Sequence, residues 1–166
     1  MPTVQSLLPE FDHEMATTRT MLLAVPNARA DWQPHAKSMT IGRLAAHLAN
    51  LPAWAIAALQ QDELDLAAPG VAEQPPFESM TATIGRFDAL VRAGRAALAN
   101  TPDAALFAPW TLKHGGHTLF TMPRGGVFRT WVLSHMIHHR GQLSVYLRLL
   151  DVPVPAVYGP TADTAL

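Results

Sequence analysis

Between Gly126 and Leu150 the chain carries Trp131, Val132, Leu133, Met136, Ile137, Leu143, Val145, Tyr146, Leu147 and Leu149. Wound as a helix, this segment sends apolar side chains in nearly every direction, and such a helix is stable in water only when neighbours cover most of its circumference. The rest of the chain must supply those neighbours, and its apolar spacing supplies helices. Val4, Leu8, Phe11, Met15, Thr18 and Leu22 recur at steps of three and four, predicting a helix of about twenty residues that stops before Pro26. Ile41, Leu44, Leu48, Leu51, Ala55 and Ala58 form a second stripe. Ser38 or Thr40 is placed to cap its N-terminus, and Pro52 predicts a kink or an early end. Phe77, Met80, Ile84, Phe87, Val91 and Leu98 form a third, closed by Asn100-Thr101-Pro102. Four long helices with polar outer faces predict an all-α four-helix bundle, one domain over residues 1–166.

The connections run over Ala24–Met39, Ala67–Pro76 and Pro102–Gly125. The last is long for a structureless loop. It is expected to hold a short helix before the last bundle helix, with Thr101 as N-cap and Pro102 as first helical residue. Alternating runs rich in β-branched residues are scarce, so little or no sheet is expected. The tail after Pro153, rich in Pro and Thr, is expected to pack loosely or to wrap the bundle.

Composition narrows the function classes. A net charge of −1 with only 15% charged residues argues against a nucleic-acid partner, which calls for a basic patch or stripe. The chain has no cysteine, which excludes a disulfide framework, a thiolate metal site and a cysteine nucleophile on this chain. Its first residues carry no early Lys or Arg and reach Glu10 and Asp12 quickly, unlike a signal peptide. The most apolar stretch, Leu44–Leu59, is interrupted by His47, Asn50 and Pro52 and falls short of the roughly 20 residues that span a bilayer. No membrane partner and a cytoplasmic location are the expectations by elimination.

Eight histidines are many for this length, and three of them, His135, His138 and His139, crowd the most apolar helix. His135 and His139 are four apart, so both rings leave the same face and two imidazole nitrogens can meet one divalent ion at about 2.0–2.1 Å. His138 is turned away from His139 by about 100° and is assigned a supporting or surface role. A pair at this spacing is more often surface decoration or hydrogen-bonded core than a ligand pair. The apolar surroundings favour ligation, because a buried imidazole without a partner costs free energy. So does His47, at the edge of the apolar stripe of the second helix, since a bundle builds metal sites from facing helices. Three neutral imidazoles also leave positions open for water or substrate. Rival motifs fail on the letters. A zinc-protease helix needs Glu where Met136 stands, and a di-iron bundle needs Glu on the last helix, which has none. Glu10 and His13 are a solitary pair, with His13 off its helix's apolar stripe and expected exposed. His114 and His117 flank Gly115-Gly116 and read as a turn rather than as loop ligands.

Three strings then resemble the DinB family (DinB/YfiT-like): Trp32-Gln33-Pro34, Ser38-Met39-Thr40-Ile41-Gly42-Arg43-Leu44-Ala45-Ala46-His47-Leu48, and Ser134-His135-Met136-Ile137-His138-His139-Arg140-Gly141-Gln142-Leu143. The resemblance extends from the first helix to Leu150 and the Pro153–Pro155 segment. It implies a four-helix bundle, commonly a homodimer, with a divalent metal held by three histidines that map onto His47, His135 and His139. It also implies thiol transferases and isomerases that use low-molecular-weight thiols such as bacillithiol or mycothiol on small-molecule substrates. A metal suits that chemistry by lowering a thiol's pKa, and without cysteine here the thiol must arrive as a cosubstrate. Two alternatives stand beside this: a non-catalytic metal-binding or dimerisation module, and a metal-dependent hydrolase. Zn, Ni or Fe all suit three imidazoles. Around the trio, Asn50 is placed to orient a ligand or water, or is a plain polar surface residue, and Gln142 is placed to hydrogen-bond near the site. Arg140 is expected at a helix end or a dimer partner rather than at the metal. Trp54, Trp110, Trp131 and Tyr146 are expected in the core or an interface.

Overall fold

A computed structural model of the chain describes residues 3–71 and 76–164. The first stripe forms α1 (Val4–Leu23), opened by a capping box in which the Thr3 and Ser6 side chains accept from each other's backbone N–H. The second stripe breaks at Leu51-Pro52 into α2 (Ile41–Asn50) and α3 (Ala53–Gln60), the early end that Pro52 predicts. Of the two candidate caps, Thr40 is used, its Oγ1 accepting from the Arg43 N–H at 3.2 Å. The third stripe forms α4 (Met80–Ala99), capped by Ser79, so Phe77 precedes the helix and packs on the core from outside it. Gly94 lets α4 approach closely: a Cβ there would lie 3.2 Å from the Pro52 carbonyl oxygen and 3.3 Å from the Ala55 Cβ.

The last stripe is helical from Arg124 to Leu149 in three consecutive parts: α5 (Arg124–Val127), a π-helical turn over Phe128–Ser134, and α6 (His135–Leu149). Phe128, Val132, Leu133, Met136, Leu143 and Leu147 are buried against Leu7, Phe11, Leu44, Leu48 and Phe87, with the Phe11 and Phe128 rings 5.8 Å apart. Burial on nearly every side does not extend to the end of this helix. Val145 and Leu149 are 56% and 57% exposed, because α1 and α2 cover the α6 stripe that carries Leu143 and Leu147 and leave the opposite one bare.

The all-α expectation is corrected by a three-stranded sheet: β1 (Glu63–Asp65), β2 (Pro109–His114) and β3 (His117–Pro123), in the order β1-β2-β3. β1 runs parallel to β2, and β2 and β3 form an antiparallel hairpin. Gly115 and Gly116 both take positive φ, +59° and +79°, the backbone that a two-residue type I′ turn demands. The hairpin persists because Trp110 and Leu112 alternate inward and make a second small core with Ala58 and Val127. The short helix before it is a 3₁₀ turn over Asp103–Phe107, and its capping differs from expectation. Pro102 stays extended outside the turn, and Thr101 closes α4 instead, donating from Oγ1 to the Ala97 carbonyl at 2.8 Å. Arg124 ties the hairpin's exit to the end of α3. It is 8% exposed, donates to the carbonyls of Ala58 and Gln61, and pairs with Asp62. The tail wraps the bundle and lays Tyr158 against Glu14 of α1.

Candidate metal centre

His135 and His139 sit one turn apart on α6, just after the π turn, and His47 lies near the end of α2. A π turn inserts one residue into the helical count and so rephases every side chain that follows, here aiming both rings at α2. Nε2 of His135 lies 3.3 Å from Nε2 of His47 and 2.9 Å from Nε2 of His139. The three ligand nitrogens fall within 4.8 Å of one another, the arrangement of this kind found among the described residues. Ligand nitrogens about 2.05 Å from a shared ion would be about 3.3 Å apart at a tetrahedral angle and about 2.9 Å apart at a right angle. The donor set therefore fits a divalent ion in both kind and spacing. The fold brings together His47, His135 and His139 and leaves His13, His114 and His117 apart from them. His13 is exposed, and His114 faces His117 across the hairpin turn.

Electrostatics keep His135 and His139 in the form a metal requires. Burial, reinforced by His139, His47 and His138, pushes His135 from its ordinary 6.5 down to about 4. Burial likewise lowers His139, against the opposing effect of its hydrogen bond to Gln142. Both are neutral at pH 7, and a neutral imidazole is the ligating species. His139 Nδ1 donates to Gln142 Oε1 at 2.7 Å, which directs the Nε2 lone pair into the cluster. Gln142 Nε2 in turn lies 3.1 Å from His138 Nε2, so the exposed His138 stands outside the trio and steadies the amide that orients it. Nδ1 of His135 is buried without an aligned hydrogen-bond partner among the described residues, although the nearby Trp131 carbonyl favours its protonation. Trp131 is stacked between Trp54 and Phe120, at 5.4 and 5.6 Å, and meets His135 edge-on at 6.0 Å. It forms an aromatic wall on one side of the centre.

The residues expected around the trio divide. Gln142 does touch a ligand histidine. The carbonyl of Asn50 is taken by Arg86, whose Nε and Nη2 donate to it at 3.1 and 2.7 Å. Arg140 reaches neither a helix end nor the surface. It is 2% exposed and pairs with Glu14 at 2.6 Å, because α1 packs directly on this side of α6 and offers it an acid. Trp110 is fully buried and Tyr146 packs edge-on to Trp32, while Trp54 lies partly in the core and partly on a cavity wall. Arg86 is the residue that sequence reasoning missed. It lies on the exposed face of α4, and no local pattern connects it to Asn50.

The model of the DinB family matches residues 1–165. An uncharacterized protein, YrdA of Bacillus subtilis (strain 168), is 25% identical over 169 residues, spanning 97% of this chain and 91% of its own. A solved DinB-like protein from Bacillus cereus ATCC 10987 superposes with a TM-score of 0.74 at 22% identity, over 94% of this chain and 98% of that one. A second, the DinB-like YjoA of Bacillus subtilis, gives 0.70 at 17%, over 90% and 96%.

Proposed function

The chain belongs to the DinB family, and from that premise we propose that it is a metal-dependent enzyme of the thiol-transferase type, joining a low-molecular-weight thiol to a small molecule. His47, His135 and His139 hold the ion. The observation that carries this reading is the convergence of three imidazole nitrogens at ligand spacing with no carboxylate among them. A divalent ion bound there would supply a Lewis acid able to lower a thiol's pKa. Three imidazoles would hold the ion, and the thiol would come from a cosubstrate since the chain has no cysteine. His47 fixes the site to α2 and the other two fix it to α6, so the centre is assembled only when those helices pack. Gln142 holds the His139 tautomer, and Trp131 shields one flank from water. Zn, Ni or Fe suits the donor set. A homodimer in the cytoplasm completes the proposal, supported by the apolar area that Val145 and Leu149 leave uncovered on α6.

Elemental analysis of the tag-free protein beside His47→Ala tests it. Near one metal per chain, lost in the variant, followed by turnover of an electrophile only when a thiol is added, is the expected result. No uptake even after reconstitution sinks the metal centre. Metal without thiol-dependent turnover sinks the transferase and leaves a binding module, and turnover indifferent to thiol leaves a hydrolase.

A further inference from the structure

Six of the ten arginines are neutralised by an acid: Arg19 by Asp88, Arg95 by Asp12, Arg124 by Asp62, Arg129 by Glu10, Arg140 by Glu14 and Arg148 by Asp163. Arg29, Arg43 and Arg92 make no side-chain hydrogen bond among the described residues. Arg86 belongs to neither set. Two of its N–H groups are pinned on the Asn50 carbonyl at 2.7 and 3.1 Å, yet no carboxylate among the described residues pairs with it. An aspartate at position 50 would hold the guanidinium equally well and cancel its charge. The amide holds it and leaves the charge, and the remaining donors, available.

The place where it is held matters. Asn50 is one helical turn beyond His47 on α2, with about 5–6 Å between Cβ atoms at that spacing. Arg86 borders a cavity of about 220 Å³ whose other walls among the described residues are Asn50, Ala53, Trp54, Ala57, Leu64, Gly70 and Val71, with no second ionisable group among these. Trp54 is also the indole that stacks on Trp131 beside His135. On its other side Arg86 borders a cavity of about 200 Å³ that includes the acidic Glu78, which disfavours an anion there. The larger cavity is below the roughly 300–1,000 Å³ of a drug-sized site, so its occupant is small. One fixed positive charge beside Trp54, Ala57, Leu64 and Val71 matches one negative charge on a body with an apolar face.

We propose that Arg86, positioned by Asn50 one helical turn from His47, anchors the carboxylate of the substrate while its apolar body lies against Trp54. The substrate class is therefore a small apolar monocarboxylate. This inference rests on the centre being the reacting site, but its recognition step is separable from the metal.

The test is a calorimetric titration of zinc-loaded full-length chain with phenylacetate and with the neutral phenylacetamide. Phenylacetate is expected to bind at least about tenfold more tightly than the amide, since a hydrogen bond to a charged group is at stake. Arg86→Gln should weaken phenylacetate about ten- to a hundredfold. Asn50→Asp should do the same with Arg86 still present, and both variants should keep full zinc content. Should Arg86→Gln fail to fold, Asn50→Asp decides alone. No binding of phenylacetate, equal binding of the amide, or binding that survives both substitutions overturns the proposal. So does binding lost in His139→Ala but kept in Arg86→Gln, which would put the carboxylate on the metal. Repeating the titration on metal-free protein separates the two readings. Arg86-dependent binding in a chain that takes up no metal would keep the anchor and discard the transferase.

Discussion

His139 and Arg140 are consecutive in the chain and about 100° apart on α6, and the two sides they face are built on opposite rules. On the Arg140 side every buried charge meets its complement. The guanidinium pairs with Glu14, donates to the Glu14 carbonyl and to Thr18 Oγ1 at 3.2 Å each, and donates to the Tyr158 hydroxyl, which donates on to Glu14. On the His139 side three bases converge with no acid among them, and burial drives protons off His135 and His139. A buried polar cluster that closes on itself completes the fold. One that gathers lone pairs and excludes protons is placed to hold a cation.

Breaking each side should therefore fail differently. Arg140→Ala leaves Glu14 buried and uncompensated and should cost about 3–5 kcal/mol in denaturant unfolding, with the folded fraction still binding metal. His139→Ala should do the reverse, losing the metal while the metal-free protein keeps its helical circular dichroism. Equal stability losses in the two metal-free variants would erase the distinction.

Acidity and alkalinity should sharpen the contrast. His135 titrates at about 4 when folded and near 6.5 when unfolded, so below 6.5 the unfolded chain takes up a proton that the fold refuses. Metal-free protein should lose stability as pH falls from 6.5 toward 4, and His135→Ala should flatten that slope. Tyr158, raised above 10 by burial and by its hydrogen bond to Glu14, acts at the other end. Its contribution is complete below pH 10 and fades as pH rises through its folded value, a fade that Tyr158→Phe should remove. Thermal melts across pH read both.

The smallest effect concerns the support of the ligands. Gln142→Leu should weaken metal about ten- to a hundredfold in a chelator competition, whereas His138→Ala should leave one metal per chain. Complete loss in His138→Ala would make it a fourth ligand and undo the helical-face argument.

These sides were unequally legible in the sequence. Periodicity exposes the helices, and an i, i+4 pair on an apolar helix with His47 on another apolar stripe exposes the trio, because both signals are local. Glu14 and Arg140 are joined only by the packing of α1 on α6, and Tyr158 reaches them from an irregular tail. The same is true of Arg86 and Asn50. The hairpin is a different case: Gly115-Gly116 between Trp110-Thr111-Leu112 and Phe120-Thr121-Met122 is a readable turn signal. The bulge at Leu112/Lys113 spoils the alternation, and β1 pairs with β2 from across α4. The π turn has no such signal in the letters.

His47 and His135 are separated by 88 positions along the chain. An ion gripping both would be a reversible staple across half the polypeptide, and the staple's strength would be set from outside the molecule. At a free-metal concentration a hundred times its dissociation constant it would add about 2.7 kcal/mol, and nothing once a chelator removed it. The lifetime of this protein against proteolysis would then rise and fall with metal supply, with no regulator other than the binding equilibrium.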